Sequence, residues 1–399
     1  MIRFLHTSDW QLGMTRHFLD EGAQARFAQD RIDAIKEIGR RAKDHSVDFV
    51  VVAGDVFESN QVKPQTVLRA LEALGSISVP VFLLPANHDP LDSASVYLSK
   101  TFADKKPDTV HVIETSEPIA VRGVDGAEIV GVPWYSKRQL TDAVAQATVS
   151  VEPCPSGTFR VMLAHGGIDG GIAEFSPAVD APGLISLEAA EAAIRAGCVQ
   201  YLALGDRHSY TDVGKTGAIR YSGTHVATSF RETDPGKVLL VEIADDHGVS
   251  VEVLPVNEVK VWRFVDQRFD LSGPDDVEAV KVFLDEQPDK ARTIVRLTLA
   301  GHLSISSAAR LEEILSEFGE HFASVREWDR HMDLTILPDE IDSEDLNLVG
   351  YARATWNHLV AAAEDSGDGG KRATDALCLL YRLARSQEAD AGGTRETSA

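Results

Sequence analysis

Five apolar segments of this sequence each end in side chains that can bind a metal ion. The clearest is Val-Val-Val-Ala-Gly-Asp-Val-Phe at residues 50–57, an apolar run that predicts a buried strand and stops at Gly54 and the carboxylate of Asp55. The other segments end in similar groups: Asp9, Asn87 with His88, His165, and Asp206 with His208. A lone Asp or His at a strand end is more often a turn former or a helix cap. Five such groups together favour a shared ligand site.

The mixture of these side chains indicates hard or borderline divalent cations. Carboxylates, imidazole nitrogens and an amide oxygen suit a pair of ions such as Mn²⁺. A carboxylate between two ions can bridge them, and ions about 3.5–4 Å apart can activate water and neutralise phosphoryl oxygens. The residue types are therefore compatible with a two-metal site that could hydrolyse a phosphoester.

The segments that carry these groups alternate with helices. A strand at residues 2–7, a helix at 27–43 and a strand at 47–53 form a βαβ unit, which implies parallel strands and a right-handed connection. Pro64 is placed to begin a second helix, and a strand at 79–84 follows. Ligands of α/β sheets bind at the carboxyl ends of the strands, so we expect all five groups at one edge of one sheet.

Later segments repeat the alternation and then change pattern. Short strands are predicted near 109–113, 119–122 and 128–132, a helix over 137–149, a strand at 159–164, a helix at 186–196 and a strand at 199–204, before strands at 218–221, 237–243 and 249–254. We therefore expect a first domain over residues 1–256.

The second half predicts smaller units. A strand at 261–269, a helix at 275–286, a strand at 293–299, a helix at 306–318 and a strand at 333–337 form an α+β cap domain over residues 257–340. Two C-terminal helices over 341–386 are separated by the glycine-rich stretch 366–370, and residues 387–399 are expected to be disordered. The pattern predicts an α/β fold with a small α+β cap domain and C-terminal helices.

Composition places the chain among ordinary soluble proteins. Its 399 residues are 44% hydrophobic and 25% charged, enough for two or three domains with their own cores. Three distant cysteines argue against a disulfide framework, and no apolar stretch approaches the roughly 20 residues that span a bilayer. We expect a cytoplasmic protein with no membrane contact.

The formal net charge of −23 bears on nucleic-acid binding. A protein that holds DNA alone usually carries a basic face, because phosphates repel an acidic surface. Tight DNA binding by this chain would therefore need metal ions or a basic partner.

The spacing of the chemical groups resembles a known family. Asp9-Trp10-Gln11, Gly54-Asp55, Asn87-His88-Asp89, His165 and Gly205-x-x-His208 are similar, in order and spacing, to the calcineurin-like metallophosphoesterase pattern D-x-H, G-D, G-N-H-D/E, H and G-H-x-H. The flanking stretches 6–10, 54–57, 221–223, 230–232 and 236–237 resemble the DNA-repair nuclease branch, the SbcD-like subunits. The similarity covers residues 1 to about 255, where it implies a metallophosphoesterase-type layered α/β sandwich, and is only architectural beyond them.

The resemblance implies a role for each matched position. Asp55 would bridge two metal ions; Asp9, Gln11 and His208 would complete one site, and Asn87, His165 and Asp206 the other. His88 would stabilise the transition state or protonate the leaving oxygen, with Asp89 as its orienting partner.

Three positions depart from the family pattern. Gln11 stands where the family has His, Asp206 where it has the first His of G-H-x-H, and Ala86 where it has Gly. Asp206 keeps a ligand but adds charge, which favours Mn²⁺ or Mg²⁺ over softer ions. Gln11 offers an amide oxygen, which is a weaker ligand than imidazole.

Three functions follow from the sequence. The first is a Mn²⁺-dependent DNA phosphodiesterase, the nuclease subunit of an SbcCD-like complex, dimeric within it and docked through its C-terminal helices on an SMC-like coiled-coil ATPase. The second is a hydrolase of small phosphoesters or cyclic nucleotides with the same fold. The third is a degenerate scaffold that binds metal weakly.

Overall fold

The structure is a computed structural model that describes residues 1–139, 141–169, 183–328, 333–337 and 348–363, with part of 369–383. The chain divides into two units, Met1–Arg263 and Phe264–Ala399. The break lies a few residues beyond the first domain end predicted at Val256.

The first unit alternates strands and helices. Its elements are β1 (Ile2–Thr7), α1 (Glu21–Asp44), β2 (Phe49–Val52), α2 (Pro64–Leu74), β3 (Val81–Leu83), α3 (Lys100–Lys105), β4 (Val110–Val112), β5 (Ile119–Ala120), β6 (Ala127–Gly131), α4 (Ala143–Ser150), β7 (Phe159–His165), α5 (Leu187–Arg195), β8 (Tyr201–Gly205), β9 (Thr211–Asp212), β10 (Ile219–Tyr221), β11 (Lys237–Ile243) and β12 (Val249–Pro255).

These strands form two sheets. One has the order β12-β11-β1-β2-β3-β4 and the other β5-β6-β7-β8-β10-β9. In the first, β1, β2, β3 and β4 are parallel, as the βαβ pattern predicts, and β11 pairs with β1 in the antiparallel direction. In the second, β6, β7, β8 and β10 are parallel.

The two sheets pack face to face around one apolar core. Phe4 and Phe49 of the first sheet stack with ring centroids 4.9 Å apart, and Tyr201 of the second meets Phe4 edge-on at 5.5 Å. Leu163 and Ala203 of the second sheet join the same core. The predicted layered α/β sandwich is thereby confirmed.

The expectation of a single sheet edge is corrected. Asp9, Asp55 and Asn87 follow strands of the first sheet, whereas His165 and Asp206 follow strands of the second. Strands β2 and β3 of the first sheet and β7 and β8 of the second are buried along their whole length, so their sequences show the same nearly continuous apolar runs. Nothing in such a run indicates which sheet the strand enters.

Helix boundaries differ from the pattern where capping decides them. The helix predicted from Lys137 begins at Ala143, because the Asp142 side chain accepts a hydrogen bond from Ala145 N at 2.9 Å and acts as the N-cap. The short helix α3 was not predicted, and a six-residue helix gives too few turns for a periodic pattern.

The second unit contains an α+β arrangement. Its described elements are β13 (Arg263–Leu271), α6 (Pro274–Glu286), β14 (Thr293–Ser304), α7 (Ile305–Gly319), β15 (Ser324–Glu327), β16 (Asp333–Leu337) and α8 (Gly350–Ala363). The long strand β14 pairs with β15 through residues 294–297 and with β16 through residues 300–304. Val280, Leu297, Ile314 and Phe318 share the core between α6, α7 and this sheet.

The predicted C-terminal helices are covered only in part. Helix α8 begins at Gly350, and its Trp356 is buried against Leu377. Three parts of this prediction lie outside the described residues: the beginning of the segment 341–386, several positions of its second helix and the tail 387–399. Within the described part of the chain, no helix has the length and apolarity needed to cross a membrane.

Candidate metal centre

Loops from both sheets bring the predicted groups together. Asp9, Asp55 and Asn87 follow β1, β2 and β3, while His165 ends β7 and Asp206 follows β8. The closest cluster is Asp9, Asp55 and His165, three buried residues whose potential ligand atoms all lie within 4.8 Å of one another. His165 Nε2 is 3.4 Å from Asp55 Oδ2. This spacing suits a shared cation.

Buried atoms without hydrogen-bond partners also indicate a cation. His165 Nε2, Gln11 Oε1 and Asn87 Oδ1 are each buried with no such partner. An unsatisfied buried polar atom costs roughly 1–3 kcal/mol, so native structures rarely leave several together. All three atoms are electron-pair donors. The residues therefore fit divalent metal ions of the kind the sequence predicts.

His165 is held in one orientation by its surroundings. Its Nδ1 lies 2.9 Å from the carbonyl oxygen of Ala53, which makes Nδ1 the protonated nitrogen and directs Nε2 toward Asp55. Two glycines leave room for the ring. A Cβ at Gly54 would lie 2.2 Å from Nδ1, and one at Gly205 would lie 2.7 Å from it. The glycine before Asp55 is therefore required by the histidine of another sheet.

The backbone is strained at the candidate ligands. Asp9, Gln11 and Asp55 have φ values of 54°, 41° and 54°, and Asp206 has φ 102°. Left-handed backbone costs an L-residue roughly 1–2 kcal/mol. Hydrogen bonds between loops hold this geometry, including Asp9 N to Gly54 O at 3.0 Å and Gln11 N to Asp55 O at 2.7 Å. Such strain gathers at functional sites.

Asp206 joins the cluster mainly through its backbone. Its amide N donates to Asp9 Oδ1 at 3.1 Å, and its own Oδ1 lies 3.8 Å from His165 Nε2. The Asp206 side chain is 46% exposed, unlike those of Asp9 and Asp55. It stands at the open side of the cluster.

His208 approaches from the same loop. Its Nε2 lies 3.9 Å from Asp9 Oδ1, and its Nδ1 lies 2.9 Å from Glu232 Oε1 and 2.8 Å from Thr228 Oγ1. Glu232 was not predicted as a site residue. It lies in the stretch 230–232 that resembles the nuclease branch, and that match was the available signal.

His88 has a different partner from the one expected. Its Nδ1 lies 2.9 Å from the carbonyl oxygen of Glu58, and its Nε2 lies 3.9 Å from Asp55 Oδ2. The Asp89 carboxylate is fully buried and accepts hydrogen bonds from Tyr97 OH at 2.6 Å, Phe57 N at 2.9 Å and Ala86 N at 3.0 Å. The predicted pairing of Asp89 with His88 is thus replaced, because these three donors occupy both oxygens of the carboxylate.

Burial and close charges shift the pKa values of these groups. Burial raises the pKa of Asp9, and burial together with the charge of Asp55 raises that of Asp89 to about 7. Although burial alone would act in the opposite direction, Asp55 raises the pKa of His165 well above its usual value, and Glu232 and Asp9 raise that of His208. Divalent ions that bind these imidazoles would have to compete with protons for the ring nitrogens.

A buried arginine, Arg31, connects two of the loops that carry the candidate ligands. Arg31 of α1 donates through Nη2 to Trp10 O and through Nη1 to Val226 O at 3.3 Å, so it joins the loop after β1 to the segment before Thr228. Burial lowers its pKa to about 10, which leaves it charged at neutral pH. Arg31 lies four residues after Phe27 and four before Ile35 on the apolar face of α1. An arginine on the apolar face of a helix indicates a buried charge with a structural role. The sequence analysis did not predict Arg31 as part of the site.

The chain is similar to a known protein family and to several known proteins. The family model described as Calcineurin-like phosphoesterase matches residues 2–181, which include Asp9, Asp55 and His165 but not Asp206 or His208. A DNA double-strand break repair protein Mre11 of Archaeoglobus fulgidus is 29% identical over 155 residues, which are 35% of this chain and 34% of that protein.

Two further relatives have similar descriptions. A subunit of the SbcCD nuclease of Bacillus subtilis is 30% identical over 139 residues, 33% of this chain and 32% of that protein. The Mre11 protein of Haloferax volcanii is 25% identical over 332 residues, 82% of this chain and 68% of that protein. The chain therefore matches about a third of the length of the Archaeoglobus and Bacillus proteins.

Proposed function

We propose that the chain is a metal-dependent phosphodiesterase that cleaves DNA, because residues 2–181 match the calcineurin-like phosphoesterase family model. The observation that carries the proposal is the buried cluster of Asp9, Asp55 and His165. It is the kind of ligand set that divalent ions require for phosphoester hydrolysis.

In this proposal two divalent ions bind, with Mn²⁺ preferred and Mg²⁺ as the alternative. Asp55 would be a ligand of both ions, in keeping with its place between His165 and His88. The remaining ligands fall into two sets: Asp9, Gln11 and His208, and Asn87, His165 and Asp206. When bound, the ions would supply charge that offsets the phosphoryl oxygens and lower the pKa of an attacking water.

His88 is the proposed proton donor. Its side chain is 35% exposed, and the Glu58 carbonyl oxygen fixes its Nδ1, which leaves Nε2 directed toward the side of Asp55. A half-exposed imidazole beside the ligands can reach a leaving oxygen of the substrate. Asp89 would then support catalysis by holding the loop of His88 to Phe57 and Tyr97.

DNA is the proposed substrate and an SMC-like ATPase the proposed partner. Two relatives are described as DNA repair proteins and one as a subunit of the SbcCD nuclease. With a net charge of −23, this chain would depend on a basic partner for its hold on the phosphate backbone. We propose an SbcCD-like complex in which this chain is the nuclease subunit and forms a homodimer, with α8 and the residues after it as the docking segment.

The test is Mn²⁺-dependent cleavage of single-stranded DNA and of bis(p-nitrophenyl) phosphate. Asp55→Ala should lower both rates by more than the roughly 10–100-fold that loss of an outer partner of a metal ligand costs, since Asp55 would be a ligand of both ions. Glu128→Gln is the matched control, because Glu128 pairs with Arg160 at 3.0 Å on β6. Equal activity in Asp55→Ala and the wild type would refute the proposal.

The same assay separates the substrate classes. Hydrolysis of the small ester without DNA cleavage, even with the ATPase present, would favour a hydrolase of small phosphoesters or cyclic nucleotides.

Gln11 favours a second candidate, a scaffold that binds metal weakly. Gln11 stands where the family pattern has His, and an amide oxygen is a weaker ligand than imidazole. Absence of activity with any divalent ion, together with recovery in Gln11→His, would support this candidate. A metal count on the purified protein comes first: two ions per chain favour the enzyme, and one implicates the Gln11 position.

A further inference from the structure

Glu232 is a buried carboxylate that contacts the candidate metal ligand His208 and is not itself a candidate ligand. Its side chain is 3% exposed. Oε1 accepts hydrogen bonds from Thr228 Oγ1 and from His208 Nδ1, the latter at 2.9 Å, and Oε2 accepts one from Thr228 N at 2.8 Å. Both oxygens therefore accept hydrogen bonds, Oε1 from His208 and Thr228 and Oε2 from the backbone of Thr228.

We propose that Glu232 is a positioning residue that holds His208 with Nδ1 protonated and Nε2 free for a metal ion. The inference rests on the proposed function, because it assigns a partner to one proposed ligand. Nε2 is the nitrogen on the side of Asp9, 3.9 Å from Oδ1. Nδ1 faces away, toward Glu232 Oε1 at 2.9 Å and Thr228 Oγ1 at 2.8 Å. The Thr228 hydroxyl donates its own hydrogen to Glu232, so it too can only accept from Nδ1. Only the tautomer with hydrogen on Nδ1 presents a lone pair to the cluster.

The two imidazoles of the centre are oriented by different acceptors. His165 donates to the neutral carbonyl oxygen of Ala53, while His208 donates to an ionised carboxylate. A carboxylate behind an imidazole makes the free nitrogen a stronger ligand. The carboxylate-backed histidine shares its proposed ion with Gln11, the weakest ligand of the set. Glu232 would therefore increase the metal affinity of the site that contains Gln11.

The hydrogen bonds predict what an isosteric change would do. Glu232→Gln replaces one carboxylate oxygen by an NH₂ group. With NH₂ toward His208, a donor faces Nδ1–H and favours the other tautomer, which protonates Nε2. With NH₂ toward Thr228, this donor would face the backbone N–H of Thr228, which donates a hydrogen bond to Oε2 in the wild type. Either orientation disturbs the loop or the ligand atom.

Two measurements test the proposal on the full chain. Titration with Mn²⁺, followed by electron paramagnetic resonance, should show one ion bound roughly 10–100-fold more weakly in Glu232→Gln and the other nearly unchanged. Glu232→Asp keeps the charge and should lose less, and Glu128→Gln should match the wild type. Equal Mn²⁺ binding in Glu232→Gln and the wild type would overturn the proposal.

The tautomer of His208 can be measured in protein without metal and without an activity assay. In metal-free protein with ¹⁵N-labelled histidine, at a pH where His208 is neutral, its Nδ1 should carry the proton, with His208→Gln used to assign the signal. A proton on Nε2 in the wild type would overturn the inference even if Glu232→Gln failed to fold. Wild-type protein that binds no divalent ion would refute the proposed function instead, and the tautomer would still decide the role of Glu232.

Discussion

His6 shows how one side chain joins the two sheets beneath the candidate centre. It lies on β1 of the first sheet, and its Nδ1 is 3.0 Å from the Tyr201 hydroxyl while its Nε2 is 3.2 Å from Leu204 O, both on β8 of the second sheet. The residue is fully buried, and burial lowers its pKa to about 3, against a smaller opposing effect of the Leu204 carbonyl. His6 is therefore neutral in the folded protein across the physiological range.

This pKa predicts how stability depends on pH. The unfolded histidine takes up a proton below about pH 6.5 and the folded one only near pH 3, so the contribution of His6 is full above pH 6.5 and falls as the pH drops toward 3. Between pH 6.5 and 5 the loss is about 2 kcal/mol, at about 1.4 kcal/mol per pH unit. His6→Gln should be less stable at pH 7.5 yet lose less on acidification, as measured by urea unfolding. Parallel pH profiles for both proteins would contradict this account.

At the scale of residues, the sequence indicated the ligand types well and their supports poorly. Asp9, Asp55 and His165 were expected together because strand ends concentrate at sheet edges. Neighbouring positions suggested Asp89 as the partner of His88, but the chain turns between them and Asp89 faces Tyr97. Glu232 lies 24 residues from His208 and could be paired with it only in three dimensions.

At the scale of elements, glycines set how closely the two sheets approach. The loop after β2 passes so near the ring of His165 that Gly54 has no room for a side chain, and its φ of 98° also disfavours one. Gly197, after α5, has φ 70°, but a Cβ added there would meet no atom within 4 Å. Gly54 and Gly197 therefore share the left-handed backbone, but only Gly54 is also in close steric contact with its surroundings.

Gly54→Ala should therefore be more damaging than Gly197→Ala. Each substitution carries the cost of a left-handed backbone, and Gly54→Ala adds overpacking of roughly 1–3 kcal/mol because the new Cβ meets His165. Thermal unfolding should show the larger loss for Gly54→Ala, and Mn²⁺ titration should show weaker binding only there. Similar losses in both variants would mean that His165 can move aside.

Element order was predictable where patterns are long, and sheet membership was not. Helix α1 and strands β1, β2 and β7 were expected near their observed positions, since the 3.6-residue period and the apolar runs are clear. The passage from β4 into the second sheet follows two short strands with no such signal. Long-range pairing, such as β1 with β11, depends on the whole chain.

At the scale of the whole molecule, all the proposed ligands belong to one of the two units. They lie between Asp9 and His208, within the unit that ends at Arg263. A ligand that binds only the folded state stabilises the part that binds it, by about 2.7 kcal/mol at a hundredfold excess over Kd.

Mn²⁺ should accordingly protect one unit selectively. We expect slower hydrogen exchange in the loops at residues 9–12, 54–58, 86–89 and 205–208 when Mn²⁺ is added, and no change in residues 264–328. Exchange followed by mass spectrometry, with EDTA as the reference state, measures this. Protection spread equally over both ranges would argue against a centre confined to the first unit.

The seam between the two sheets also has a consequence for the order of folding. The hydrogen bonds from His165 to Ala53 and from Asp206 to Asp9 join residues 112 and 197 positions apart in the chain. Contacts of such separation form late, because a long loop must close first. A chain emerging during synthesis has Asp9 and Asp55 long before it has His165 and His208. We therefore expect the ion to be captured only after the two sheets have docked, so that metal loading reports a completed fold.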